Sequence, residues 1–118
     1  MTVADNVWET TTTTGTGTIT LAGAVSSDWQ TFVTGLTALL GLPSPDQWTD
    51  VYYVIFVGEI DAPTQVEVGK GTVDASAGTL TRADVDVTYS TTSNNRISLP
   101  VGTANVICSM NAAAFNQF

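Results

Sequence analysis

The chain contains no histidine and only one cysteine, Cys108. Without histidine, Ser–His–Asp and Cys–His catalysis are excluded, and the commonest ligand of zinc and iron sites is missing. A single cysteine cannot form an internal disulfide. Because Cys108 lies in the apolar run 104–108, we interpret it as a buried small hydrophobic residue rather than a reactive thiol.

Charge is scarce, and basic charge most of all. Charged residues make up 12% of the chain, and 11 acidic residues stand against three basic ones, Lys70, Arg82 and Arg96. The net charge of −8 repels nucleic-acid phosphates and anionic membrane surfaces, so we expect neither as a partner. Threonine and serine supply the polarity instead, which favours a protein that meets its neighbours through neutral surfaces.

Long hydrophobic runs are missing as well. The longest, residues 51–57, is far too short to span a bilayer, and residues 1–5 lack the pattern of a signal sequence. We therefore expect a protein made in a reducing cytoplasm. With 118 residues, of which 43% are hydrophobic, the chain is expected to fold as a single β-domain, 1–118.

Alternation with a period of two is the main structural signal that is present. From residue 16 to residue 21 the even positions carry threonine and the odd positions end in Ile19 and Leu21, which predicts a strand at 16–22 with hydroxyls on one face. Residues 50–57 predict a central strand that is covered on both faces. Residues 64–72 predict a further strand, in which Val66 and Val68 face inward and Glu67 need not. Turn signals separate seven or eight such strands, which predicts an all-β fold, an antiparallel β-sandwich or jelly-roll-like domain.

One segment, residues 35–50, is predicted to be an insertion with a short helix. Its leucines fall at helical spacing and form one apolar stripe, Gly41 is a plausible C-cap, and Pro43 forbids continuation. Residues 1–8 are interpreted as an N-terminal arm. Residues 111–118 are interpreted as a C-terminal tail.

Two pairs of carboxylates are the only candidates for catalysis or metal binding. Glu59 with Asp61, and Asp84 with Asp86, have the spacing of same-face strand residues, which a Ca²⁺ site or a glycosidase could use. We favour solvated strand edges, because no calcium-loop pattern surrounds either pair. The sequence therefore predicts no catalytic residue, no metal, no cofactor and no small-molecule substrate.

The tryptophans allow a further alternative. Trp8, Trp29 and Trp48 could form a platform on which sugars stack. In so short a chain, large aromatic side chains more often fill the core, and we favour that interpretation.

Several motifs together carry a resemblance. They are V-W-E-T-T-T-T-T-G-T-G-T at 7–18, Y-Y-V-I at 52–55, E-V-G-K-G-T at 67–72, T-L-T-R at 79–82 and G-T-A-N-V at 102–106. In this order they resemble a small β-domain of virion structural proteins from tailed bacteriophages and prophages. Residues 35–50 are longer than that pattern expects, and the chain after Met110 is particular to this protein.

The resemblance implies a structural role in a virion, without fixing the location. We expect a non-enzymatic capsid decoration (cement) protein, made in the host bacterial cytoplasm and residing in the virion. Its expected partners are the major capsid protein or other virion proteins and further copies of itself, as in a trimer. The alternatives are a neck, tail or fibre subunit, or a glycan-binding module for host recognition.

The candidate contact residues come from the arm, the insertion and the tail. They are Val3, Val7, Trp8, Leu36, Leu39, Leu40, Trp48, Phe115 and Phe118.

Overall fold

The computed structural model describes residues 6–43 and 45–108, and this part of the chain is mostly antiparallel β-structure with one α-helix. The elements, in chain order, are β1 (Val7–Thr11), β2 (Ile19–Thr20), α1 (Phe32–Leu40), β3 (Gln47–Glu59), β4 (Ala62–Asp74), β5 (Thr79–Thr81), β6 (Val87–Ser90) and β7 (Ala104–Cys108). A short 3-10 turn, Asp84–Asp86, precedes β6.

The strands form one sheet that curls into a half-barrel, in the order β1-β7-β3-β4-β5-β2. The long hairpin of β3 and β4 is its centre, as the β-branched run at 50–57 predicted. On the side away from β3, β4 pairs with two strands: residues 67–69 pair with β6, and residues 72–74 pair with β5. The prediction of a mostly antiparallel β-fold with one short helix is therefore confirmed.

The chain after β2 connects the two ends of this strand order. Leu21 still bonds to the β5 side through the Gly78 carbonyl, at 2.9 Å. From Ala22 onward the same chain bonds to β1, with Ala22 N–H to Thr10 O at 2.8 Å and Val25 N–H to Trp8 O at 2.9 Å. This pairing covers the margin of β1, which would otherwise present unpaired backbone groups.

The predicted strand at 16–22 is largely wrong, because only Ile19–Thr20 pair as β2. The preceding residues form a loop. Gly15 has φ of +83°, and the Thr11 hydroxyl donates to the Thr20 carbonyl at 2.7 Å. The threonine hydroxyls here serve as local hydrogen-bond partners for the backbone, which competes with ladder formation.

The core lies on the inner face of the sheet, where α1 adds Phe32 and Leu36 to strand residues such as Tyr53 and Val106. Val68 and Phe56 are also buried but lie outside this cluster, on the other face. Glu67 is the inward residue of β4, opposite Ile55. The expected inward orientation of Val66 and Val68 is thus wrong by one residue, the shift that exchanges the two faces of a strand.

Candidate interaction surface

Helix α1 begins earlier than the predicted insertion because two acceptors hold its first turn. The Thr31 hydroxyl accepts the Thr34 N–H at 3.1 Å, as an N-cap does, and the Glu9 carboxylate accepts the Phe32 N–H at 2.7 Å. Glu9 is buried on β1, so it fixes the start of the helix to the sheet. The predicted C-cap, Gly41, is confirmed, with φ of +78° and its N–H bonded to the Thr37 carbonyl.

The apolar stripe of α1 continues beyond the part that the domain buries. Phe32, Gly35 and Leu36 are buried. Leu39 and Leu40, one turn further along the same face, are 59% and 56% exposed, and Leu42 after the helix is 82% exposed. We call Leu39, Leu40 and Leu42 the leucine cluster. Exposed aliphatic side chains grouped in this way mark a contact surface more often than scattered ones do.

A second projecting element is the tip of the β3–β4 hairpin. β7 pairs with β3 as far as Phe56 and β6 pairs with β4 from Glu67, so residues 57–65 extend as two strands only. Residues 58–64 are all exposed, and Ile60 at the turn is 59% exposed between two acidic residues. We call residues 58–64 the hairpin tip. The Thr64 hydroxyl donates to the Val57 carbonyl at 3.2 Å, which braces its base.

The structure separates the predicted contact residues into three groups. Leu39 and Leu40 are exposed, and Trp8 is half-buried. Val7, Leu36 and Trp48 belong to the core cluster and are at most 6% exposed, so predicting them as contacts was wrong. They carry the apolar side chains that point inward from β1, α1 and β3. Val3, Phe115 and Phe118 lie outside the described residues.

The tryptophans do not form a three-membered platform. Trp48 is in the core. Trp8 and Trp29 make an edge-to-face pair at 5.0 Å, and Trp8 also meets Phe56 edge-to-face at 5.8 Å. The Trp8 indole N–H donates to Asn105 Oδ1 at 3.0 Å. These contacts are typical of packed aromatic residues, whereas a stacking platform presents ring faces to the ligand.

Neither carboxylate pair converges on a common site. Glu59 and Asp61 flank the turn of the hairpin tip and are exposed. Asp84 accepts the guanidinium Nε–H of Arg96 at 2.8 Å, and this hydrogen bond lowers the pKa of Asp84 below its ordinary value. Within residues 6–43 and 45–108, no three His, Cys, Asp or Glu side chains are grouped so that they could hold a metal ion.

The most concentrated polar chemistry is a buried network that sequence reasoning missed. Glu67 Oε1 accepts from Arg82 Nη1 and from the Ile97 N–H, both at 2.7 Å, and Glu67 Oε2 accepts the Tyr53 hydroxyl at 2.6 Å. Burial, together with the adjacent Glu67 carboxylate, raises the pKa of Tyr53 well above its ordinary value. Tyr53 therefore stays a hydrogen-bond donor across the whole physiological pH range.

Arg82 extends the network to the threonine- and glycine-rich loop. Its Nε–H and Nη2–H bond the carbonyls of Gly17 and Gly15, at 3.0 and 2.9 Å. Nearby, Arg96 Nη1 bonds the Thr16 carbonyl at 3.1 Å. Each of these charges has a bonded partner, so the network is a structural anchor rather than a poised reactive site. The available signal was that two of only three basic residues flank short strand patterns: Arg82 follows residues 79–81 and Arg96 precedes residues 97–99.

No protein-family model, characterised protein or solved structure gave a significant match to this chain. Among the described residues, the one α-helix is too short to cross a membrane.

Proposed function

We propose that this protein is a non-enzymatic structural subunit of a tailed-phage virion, acting as a capsid decoration (cement) protein. The motif resemblance supports a virion role, and so does a domain whose concentrated polar chemistry is used to hold backbone segments together. The arrangement as a sandwich or jelly-roll, predicted from strand spacing, belongs to this proposal. The mostly antiparallel strands of the described residues support the β-rich part of this arrangement.

The observation that carries the proposal is the leucine cluster. It places three apolar side chains in solvent, two in the last turn of a helix and one just after it, and the first turn of that helix is fixed to the sheet by Glu9. An exposed aliphatic group on an anchored element suits a contact with another protein. It offers no group for acid–base or nucleophilic chemistry.

The proposed mechanism is additive burial over many copies. A standard interface hides about 800 Å² on each partner, and repetition over a shell resists internal pressure without any single contact being strong. The hairpin tip, with Ile60 between Glu59 and Asp61, suits an apolar pocket with a basic rim on the major capsid protein. The leucine cluster suits an uncharged apolar surface.

Copy number in particles tests the proposal. The measurement is quantitative mass spectrometry of particles purified from the phage or prophage that encodes this chain. Hundreds of copies per particle are expected for a shell component. A handful of copies would favour the neck, tail or fibre alternative, and absence from particles would overturn the virion role.

A further inference from the structure

We infer that the leucine cluster is the surface through which copies of this chain bind one another, the same side chains from two copies meeting face to face. This inference rests on the proposed function and names one of its contacts. Leu39 and Leu40 extend the stripe that Phe32 and Leu36 already bury, so the last turn of α1 is amphipathic but lacks a cover from the domain. A second copy of the same turn would supply that cover.

Charge favours a second copy as the occupant. Two copies that each carry −8 repel each other, and the repulsion is smallest where the contact itself is uncharged. Residues 29–45, which include α1 and the leucine cluster, contain no charged side chain. A basic partner would instead gain most at the hairpin tip, where Glu59 and Asp61 are exposed.

The size of the cluster sets the expected strength. Its three side chains expose about as much surface as two fully exposed leucines. That is well below the area of about 800 Å² per partner in a standard interface, so the contact should be weak, with a dissociation constant of roughly 10–1,000 μM. Copies held side by side on a shell would still engage it, because tethering raises their effective concentration.

Sedimentation velocity over a concentration series up to about 1 mM, at low and at high salt, tests the inference. We expect self-association that strengthens with salt, because salt screens the repulsion between two acidic chains and leaves the apolar contact intact. The variant L39Q/L40Q/L42Q should lose at least tenfold in association constant. The single variant L42Q, outside the helix, should lose part of it without affecting helix stability.

The matched control is V85Q/V101Q, which removes two side chains that are 89% and 93% exposed outside the cluster. This control should associate within about twofold of the unmodified protein, since it leaves the cluster intact. Circular dichroism confirms that every variant is folded. A monomer at every concentration and salt, association that weakens with salt, or unchanged association of the folded cluster variants would each overturn the inference.

Cross-linking gives a positive test. Cys108 is 4% exposed, so a cysteine introduced by L40C would be the accessible thiol among the described residues. Under mild oxidation L40C should form covalent dimers at least fivefold faster than V101C. Equal rates would overturn the inference.

Failure of this inference and failure of the proposed function are distinguishable. If copies do not associate in solution, the copy number measured in particles is unaffected. A low copy number removes the decoration role but does not change self-association in solution.

Discussion

Glu67 and Arg82 form an ion pair at 2.7 Å with both side chains fully buried. Removing two charges from water costs several kcal/mol for each ion, and their attraction repays this only when the other hydrogen-bonding positions are also satisfied. Here they are satisfied by Tyr53 and by the backbone of residues 15, 17 and 97. The pair therefore holds β4 and the end of β5 to two segments without long strands, the loop at residues 15–17 and the backbone at Ile97.

Breaking this pair should be among the most damaging single changes. The variant E67Q keeps the shape of the side chain but leaves the Arg82 charge uncompensated. Its amide N–H₂ either faces the Arg82 and Ile97 donors or requires the Tyr53 hydroxyl to turn and accept. We expect a loss of about 3–5 kcal/mol in the free energy of unfolding, measured by chemical denaturation. Against a total stability of about 5–15 kcal/mol, such a loss leaves the fold marginal.

The surface pair Arg96–Asp84 provides the control. Its side chains are 30% and 52% exposed, and salt and solvent screen the attraction. The variant R96Q should therefore be much less damaging than E67Q in the same denaturation experiment. Equal losses for E67Q and R96Q would show that the buried pair has no special weight.

At the scale of the elements, β4 is constrained by how closely its neighbours approach. A Cβ built at Gly71 would lie 2.1 Å from the carbonyl oxygen of Thr81 on β5, and one at Gly69 would lie 2.7 Å from the Asp86 carbonyl oxygen. Both contacts are with backbone atoms, which cannot rotate away. The two glycines of the E-V-G-K-G-T motif are thus explained by the packing of β4 against β5 and the 3-10 turn.

The variant G71A should cost more than about 3 kcal/mol or change the pairing of β5, because relieving the clash requires the strands to separate. The matched control is G17A, since a Cβ at Gly17 meets nothing within 4 Å and its φ is not in the left-handed region. Thermal unfolding of both variants makes the comparison. Equal melting temperatures for G71A and G17A would contradict the close approach.

The hairpin tip offers a prediction about binding rather than stability. Ile60 is 59% exposed at its turn, so I60S should leave the melting temperature within about 2 °C of the unmodified protein. On the proposed function, it should reduce the amount of protein retained on purified capsids by about tenfold at equal protein concentration. V101S, also at an exposed valine, serves as the control. Equal retention of I60S and V101S would remove the tip from the contact surface.

Sequence patterns predicted the elements whose partners are nearby in the chain. The β3–β4 hairpin follows from its β-branched run, and the end of α1 follows from Gly41 and Pro43. The conformation of residues 12–18 could not be predicted in this way. It depends on Arg82 and Arg96, which lie 65 to 80 residues further along the chain from the carbonyls they bind.

The candidate surface was predictable only in part, because local spacing shows which residues share a face but not what covers that face. Helical spacing placed Leu36, Leu39 and Leu40 on one stripe, but it carried no information on where the body of the domain ends beneath that stripe. Only the tertiary structure separates the buried Leu36 from the exposed Leu39 and Leu40. Likewise, alternation in β4 did not reveal which of two apolar faces would receive Glu67.

For the whole molecule, the dependence of stability on pH follows from carboxylates shifted in opposite directions. Burial raises the pKa of Glu9 above its ordinary value of 4.5, outweighing its hydrogen bonds to the Phe32 and Gly23 N–H groups. The folded state then binds this proton more tightly than the unfolded chain does. The contribution of Glu9 to stability is therefore fully present below pH 4.5 and is lost as pH rises through the folded pKa.

Asp74 and Asp84 act in the opposite sense. Hydrogen bonds from the Ala77 N–H and Ser76 to Asp74, and from Arg96 to Asp84, lower both pKa values below the ordinary value of 3.8. Their contributions are present above pH 3.8 and are lost as pH falls through the folded pKa values. Together with Glu9, they predict a maximum of stability at mildly acidic pH, about 4 to 5.

Urea denaturation from pH 3 to pH 8 measures this profile. The unmodified protein should lose stability on both sides of the maximum. The double variant D74N/D84N should flatten the acid side alone, whereas E9Q should flatten the decline between mildly acidic and neutral pH. In E9Q one backbone N–H, of Phe32 or Gly23, loses its acceptor, so the whole curve should also drop by about 1–3 kcal/mol. A stability that climbs steadily from pH 4.5 to pH 8 in the unmodified protein would contradict the raised pKa of Glu9 and the role given to its burial at the start of α1.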